Sequence, residues 1–283
     1  MQLTNSNDIR ELLQRHGFRF SKALGQNFLI DARIPEKIAE SSLTDAGCGV
    51  LEVGPGIGCL TEQLSRRSGR VVALEVDKRL QPLLAETLQG CGNVKILFAD
   101  VMKTDLHALI DNEFQGLKPI VCANLPYQIT SPLLLKLLDL KELASITVMI
   151  QREVAARICA GPGSADYGAL GVRVQWEMDT EILFDVPPSC FMPQPGVVSS
   201  VIRLTRRKEA PAEVRDEKAM FRVVRAAFGQ RRKTLANALS SQIAGLRRED
   251  VEKALSACGL DVRIRGEVLS IEQFAQLTDE IFQ

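Results

Sequence analysis

Four places in this chain combine residue types and spacings that could do chemistry. The run "LEVGPGIGCLTEQL" carries glycines at 54, 56 and 58, a pattern that lets backbone approach a ligand closely as a strand turns into a helix. About 20 residues further on, the next apolar run closes on acids in "ALEVD", the place from which a carboxylate accepts ribose hydroxyls. Glu75, nearer the apolar run, suits that role better than Asp77. The following run ends at Asp100, whose carboxylate could accept from an exocyclic amine or cap the next turn. The fourth place is "CANLPYQITSPLLLKLL" (122–138), where Pro126 stiffens the chain and biases Leu125 towards an extended conformation. Asn124-Leu125-Pro126-Tyr127 thus offers two carbonyl oxygens on a fixed backbone beside an aromatic ring. The glycine spacing is G-x-G-x-G, not G-x-G-x-x-G, which argues against a dinucleotide and for a cofactor without a pyrophosphate.

Regular elements must hold these groups. Strand-like runs at 49–54, 70–77, 94–100, 119–124 and 145–151 alternate with segments whose apolar residues fall three or four apart, such as "GCLTEQLSRR" and "KRLQPLLAETLQ". Such alternation predicts a doubly wound parallel α/β sheet. All four places then lie at strand carboxyl ends, where open α/β sheets bind ligands. "LGVRVQWEMDTEILFDV" (170–186) and "VVSSVIRLTRR" (197–207) are read as further strands able to pair antiparallel at an edge. Beyond them the pattern is helical only, so the division expected is 1–207 for the α/β domain and 208–283 for a small helical domain.

Composition is that of an ordinary soluble domain. Of 283 residues, 46% are hydrophobic and 25% charged, with 35 basic residues against 35 acidic ones. Total charge therefore points to no polyanion, and charge distribution has to decide. The polar start "MQLTNSNDIRELLQRHGF" lacks the apolar core of a secretory signal, and no run approaches a bilayer span. Seven scattered cysteines without a C-x-x-C pair, and two histidines, argue against zinc or disulfides and for reduced thiols in the cytoplasm. Cys59 and Cys122 fall near the motifs but read as small packing residues.

The four strand ends together resemble class I S-adenosylmethionine-dependent methyltransferases, whose domain is Rossmann-like. The Asn-Leu-Pro-Tyr loop resembles those that methylate a planar exocyclic nitrogen. The lone pair of adenine N6 is delocalised into the ring, so the amine is a poor nucleophile. Acceptance of its two hydrogens by the Asn124 side chain and the Leu125 carbonyl favours a more pyramidal nitrogen, and Tyr127 can stack on the base. Catalysis of this kind is orientation and electrostatics, with no protein nucleophile.

"KALGQNFLID" (22–31), "MIQREVAARI" (149–158), "VPPSCFMPQPGVVSSVIRL" (186–204), "FGQRRKTLANAL" (228–239) and "GEVLSIEQFAQL" (266–277) extend the likeness. From about residue 20 onward the chain resembles the ribosomal RNA adenine N6,N6-dimethyltransferase family, in its KsgA/RsmA-type small-subunit branch and not its large-subunit resistance branch. The resemblance implies S-adenosyl-L-methionine as cofactor. Asn27 and Leu29 close over it, Gly54 and Gly56 meet its methionine end, Glu75 its ribose and Asp100 its adenine amine. Asn124, also beside the cofactor, and Leu125, Pro126 and Tyr127 serve the target base, and Phe191 stacks on its opposite face. A buried core phenylalanine is the generic reading of Phe191. The implied substrate is a pair of adjacent adenosines in a hairpin near the 3′ end of 16S ribosomal RNA, met in an immature 30S subunit by a monomeric cytoplasmic enzyme without membrane attachment.

Two departures stand out. Pro195-Gly196-Val197-Val198-Ser199 lacks the lysine and acid usual after the stacking aromatic, and Gly266 stands where alanine or proline is more usual. Between Arg203 and Lys233 eleven basic residues face four acidic ones, a local excess suited to phosphate contacts. A nicotinamide oxidoreductase on the same fold, and a non-catalytic ribosome-assembly factor, are the alternatives to weigh.

Overall fold

The computed structural model describes residues 2–21 and 24–283; Lys22 and Ala23 of the "KALGQNFLID" stretch lie outside them. Twelve α-helices and nine strands follow one another among the described residues. The chain divides into two compact units, one of residues 1–155 and 181–206, the other of 156–180 and 207–283.

The first unit carries α1 (Ser6–Arg15), β1 (Phe28–Leu29), α2 (Arg33–Ser41), β2 (Cys48–Val53), α3 (Cys59–Ser65), β3 (Arg70–Glu75) and α4 (Gln81–Thr87). It continues through β4 (Val94–Phe98), α5 (Leu106–Glu113), β5 (Lys118–Asn124), α6 (Thr130–Leu138), β6 (Ser145–Gln151) and the start of α7 (Arg152–Cys159). After the crossing inside α7, the chain returns within β7 (Met178–Val186), followed by β8 (Phe191–Met192) and β9 (Ser199–Arg206). The seven-stranded sheet has the order β4-β3-β2-β5-β6-β9-β7. β2 runs parallel to β3 and β5, β3 to β4, and β5 to β6, while β9 is antiparallel to β6. Every residue of β2 is buried, as a central strand covered on both faces requires. The order of strands reverses between β2 and β5, and the crevice at such a switch point is where an α/β sheet receives ligands. Gly54 leaves the end of one of those strands and Asn124 closes the other.

Two clusters support that crevice. Ile9, Leu12 and Leu13 of α1 pack with Phe28, Ile57, Leu80, Leu83 and Leu84. Phe191 packs with Leu29, Val50, Leu60, Cys122 and Met149. Burial of each such side chain contributes about 1.5–3 kcal/mol.

The second unit is helical, and it differs from the expected division at residue 207. It includes the end of α7 and α8 (Ala169–Glu177), followed after β9 by α9 (Glu217–Gly229), α10 (Leu235–Gln242), α11 (Arg248–Ala257) and α12 (Ile271–Ile281). The stretch expected to be a strand from 170 therefore begins as a helix. The alternation Val172, Val174, Trp176 imitates a strand, but Val172 and Trp176 are also one helical turn apart. Both enter the core of Tyr167, Val223, Leu239, Leu255 and Phe274. A Cβ on Gly171 would stand 2.6 Å from the Arg157 carbonyl oxygen, so glycine permits the close approach of α8 to α7. Gln175 Nε2 then donates to the carbonyls of Ile158 and Ala160 at 2.8 and 2.9 Å, satisfying groups the end of α7 leaves open.

Within the same core, α9 buries Met220, Val223, Val224 and Ala227 along one stripe, and α12 opens with a reciprocal cap between Ser270 and Gln273. Gly266, the departure noted above, has a packing reason: a Cβ there would fall 2.7 Å from that of Ala227.

Candidate active site

One cleft of about 260 Å³ at the switch point is lined by Asn27, Leu29, Gly54, Gly56, Glu75, Asp100 and the whole Asn124–Tyr127 loop. Ten of the eleven expected site residues therefore meet around one space. Phe191 does not. It is 1% exposed, opposite Leu29 in the antiparallel β1–β8 pair, and packed in the core behind the wall that Leu29 forms. In this structure Phe191 is a buried side chain of that core cluster.

The glycine loop takes φ values of +71°, +60° and +90° at 54, 56 and 58. At Gly56 space matters as well as backbone: a Cβ would press the Phe28 ring at 3.2 Å. A Cβ on Gly54 would lie 3.9 Å from the Pro126 ring and 4.0 Å from the Asn124 carbonyl oxygen. The two loops thus face each other with room for a methyl group between them at that point.

Glu75 closes β3, 5% exposed, its Oε1 accepting from the Asp77 N–H at 2.7 Å. Burial is the main cause that pushes its carboxyl up to about 7. Asp77 is otherwise engaged: its Oδ2 accepts from Gln26 Nε2 at 2.8 Å and its two oxygens accept from Arg79 Nε and Nη2 at 2.8 and 2.7 Å. Between the two acids considered for ribose, Glu75 lines the cleft and Asp77 holds neighbouring chain. Asp100 caps its own turn, with Oδ1 accepting from the Met102 N–H at 2.9 Å. Its Oδ2 stands 3.9 Å from Lys103 Nζ, beyond hydrogen-bond distance, so one oxygen remains for a ligand.

The Asn124–Tyr127 loop is pinned through its backbone. The Leu125 N–H donates to the Met149 carbonyl at 3.1 Å and the Ile129 N–H to that of Pro126 at 3.2 Å. Thr130 Oγ1 also donates to the Pro126 carbonyl at 3.2 Å. Among the described residues the Asn124 side-chain amide has no protein partner, although it lines the cleft. An amide held at a fixed point and left unpaired is ready for a ligand amine.

Three residues were given no role from the sequence. Glu52, the last but one residue of β2, is 1% exposed and its Oε2 has no hydrogen-bond partner. Burial, aided by the charge of Glu75, pushes it up to about 8; an acid inside the apolar run "GVLEVG" was the available signal. Val76 lines the cleft while 55% exposed, the most exposed large hydrophobic side chain among the described residues. Gln26 lines the cleft as well, and only its bond to Asp77 gives it a role. Cys59 also reaches the wall, but burial pushes its thiol up to about 12, so it stays protonated and is no nucleophile.

The basic run proves partly structural. Arg203 Nη2 lies 2.5 Å from Glu181 Oε2, Arg207 Nη2 2.8 Å from Asp179 Oδ1, and Arg206 Nη2 donates to the Leu140 carbonyl at 2.9 Å. Lys208, Arg215, Lys218, Arg222, Arg225, Arg231, Arg232 and Lys233 are exposed.

Comparison with known proteins agrees with this geometry. Ribosomal RNA small subunit methyltransferase A of Geobacillus thermodenitrificans is 48% identical over 276 residues, covering 96% of this chain and 94% of that protein. Its counterpart in Shouchella clausii is 49% identical over 274 residues, covering 96% and 93%. The 23S rRNA methyltransferase ErmE shares the fold with a TM-score of 0.69 at 26% identity, over 90% of this chain and all of that one. A dimethyladenosine transferase from Plasmodium falciparum does so with a TM-score of 0.72 at 23% identity, over 88% and 95%. Since the model of the ribosomal RNA adenine dimethylase family matches residues 17–283, this chain belongs to that family.

Proposed function

We propose that this enzyme, a ribosomal RNA adenine dimethylase using S-adenosyl-L-methionine, modifies N6 of two adjacent adenosines in the 3′-terminal hairpin of 16S ribosomal RNA. The observation that carries the reading is the unpaired Asn124 amide, held beside the glycine loop by the Met149–Leu125 backbone bond.

The residues present suit the cofactor. Gly54 and Gly56 leave space that a Cβ would narrow, Glu75 offers a buried carboxylate to a diol, and the free Asp100 oxygen suits an adenine amine. Val76 gives a flat base an apolar surface to cover. When bound, the cofactor supplies an electrophilic methyl on a sulfonium. The chain's own residues do the rest. Asn124 Oδ1 and the Leu125 carbonyl accept the two hydrogens of the target amine, which favours a nucleophilic lone pair. Pro126 fixes where that carbonyl points, and Tyr127 offers a ring face to the purine. No side-chain base is needed, because the methylated aminium is acidic enough to lose its proton afterwards. The base must leave its stack to reach the cleft.

The exposed basic residues of the helical unit are suited to phosphates, which position RNA without reading its sequence. Identity near 48% with small-subunit methyltransferases over nearly the full chain favours the small subunit over 23S RNA. An immature 30S particle is the proposed substrate, and a ribosomal substrate argues for the cytoplasm. Action as a monomer is part of the same proposal.

The test is methyl transfer to small-subunit particles from a strain lacking the modification, with nucleosides resolved by mass spectrometry. Dimethyladenosine should form in 16S RNA, and Asn124→Ala should lower the rate by about 100-fold. Label confined to 23S RNA, or stabilisation of the protein by NAD and not by S-adenosylhomocysteine, would overturn the reading.

A further inference from the structure

The phenol of Tyr127 reaches past the loop's own hydrogen bonds and meets the hydroxyl of Ser199 at 2.7 Å, 72 residues later in the chain. Ser199 is the first residue of β9, opposite Gln151 of β6, and it is fully buried. A buried hydroxyl costs free energy unless it is bonded, and Tyr127 is its partner among the described residues.

The loop's other bonds hold only backbone. The Leu125 N–H and the Pro126 carbonyl are fixed, yet neither bond sets the direction of the Tyr127 ring axis, which pivots at χ1. A contact at the far end of the ring does so. Ser199 sits on a strand locked to β6 by the antiparallel ladder, so the anchor is rigid. The neighbouring serine is engaged elsewhere, with Ser200 Oγ donating to Asp185 Oδ1 at 2.6 Å.

We infer that Ser199 is a positioning residue for methyl transfer, holding the Tyr127 ring through its hydroxyl so that the pair, and not the tyrosine alone, aligns the target base. This rests on the reading that Tyr127 meets the base. Ser199 contributes alignment and no bond to any reacting atom. Its loss therefore acts on turnover and leaves cofactor affinity alone.

The experiment measures kcat, KM for S-adenosyl-L-methionine and melting temperature for Ser199→Ala, Tyr127→Phe, the double variant, Ser200→Ala and Tyr127→Ala. Ser199→Ala and Tyr127→Phe should each lower kcat by about fivefold, and the double variant should lower it no further, since both remove one hydrogen bond. The KM for the methyl donor should not move. Ser200→Ala, equally buried, should lower the melting temperature at unchanged kcat. Multiplying losses in the double variant, or wild-type kcat in Ser199→Ala, would overturn the anchor. Tyr127→Ala separates the two levels. Wild-type activity in that variant removes the reading of Tyr127 itself, whereas a large loss beside a silent Ser199→Ala removes only the anchor.

Discussion

Gln26 Nε2 donates to Asp77 Oδ2 across 2.8 Å and 51 residues of sequence. The bond ties the segment that lines the cleft from residue 24 onward to the turn after β3. Ser21 N–H donates to Gln26 Oε1 at 2.9 Å, and Arg79, bound to Asp77, lies over the Phe18 ring at 5.3 Å. The Arg79 hydrogen bonds hold the Asp77 carboxyl below the usual carboxylate range. Asp77→Ala should therefore loosen residues 18–21 and 24–29, weaken binding of the methyl donor by about tenfold, and cost about 1–3 kcal/mol of stability. Hydrogen exchange of that segment and urea unfolding check both parts.

Glu52 and Glu75 predict the pH dependence of stability. Both carboxyls are raised from an ordinary value of 4.5, to about 8 and about 7. The folded state then keeps protons that the unfolded chain has released. Their stabilising contribution is complete below about pH 4.5 and is lost as pH rises through about 7 and 8, on the order of a few kcal/mol. Melting temperatures from pH 5 to pH 8.5 should fall in the wild type and fall less in Glu52→Gln, whose amide has no proton to lose.

Val76 predicts a selective defect in cofactor binding. With 55% of its surface exposed, it contributes little to the fold, so Val76→Ala should change stability by less than about 0.5 kcal/mol. Loss of apolar cover for a flat base should raise the dissociation constant of S-adenosylhomocysteine by about fivefold. Calorimetric titration beside a thermal melt tests the contrast. An unchanged dissociation constant would show that the base lies elsewhere.

The basic residues should separate into two classes. Arg206 donates to carbonyls at the end of α6 and beyond, and Arg206→Gln should lower stability by about 2 kcal/mol because those acceptors lose a charged donor. Arg232 and Lys233 are exposed. Changing both to glutamine should leave the melt alone and lower the steepness of RNA binding against log salt by about 0.7–0.9 for each phosphate no longer neutralised. Filter binding at several salt concentrations reads that slope.

Much of the sheet was legible in the sequence. Runs such as "GVLEV" and "SITVMIQ" place apolar residues on both faces, a pattern that suits a strand covered on both sides. Glycine and proline marked the two loops at the switch point, because φ and backbone approach are written in those residue types. The pattern from 170 misled because two valines and a tryptophan fit a period of two and a turn of helix equally well, and only the helical core decided. The surroundings of Phe191 were beyond reach for a related reason. Whether an aromatic faces a cavity or the packing behind it depends on which strand pairs with it, here Phe28–Leu29. Arg203, Arg206 and Arg207 looked like part of a phosphate surface because their acceptors lie far away in the chain or on backbone.

The division of the chain has a practical outcome for anyone wishing to separate its parts. Residues 156–180 are an excursion into the helical unit before the sheet is finished. A clone stopped after Arg206 would keep α8 and strip it of its neighbours, leaving Val172 and Trp176 as sticky surface. A fragment meant to hold the sheet alone has to leave out that excursion as well as the tail.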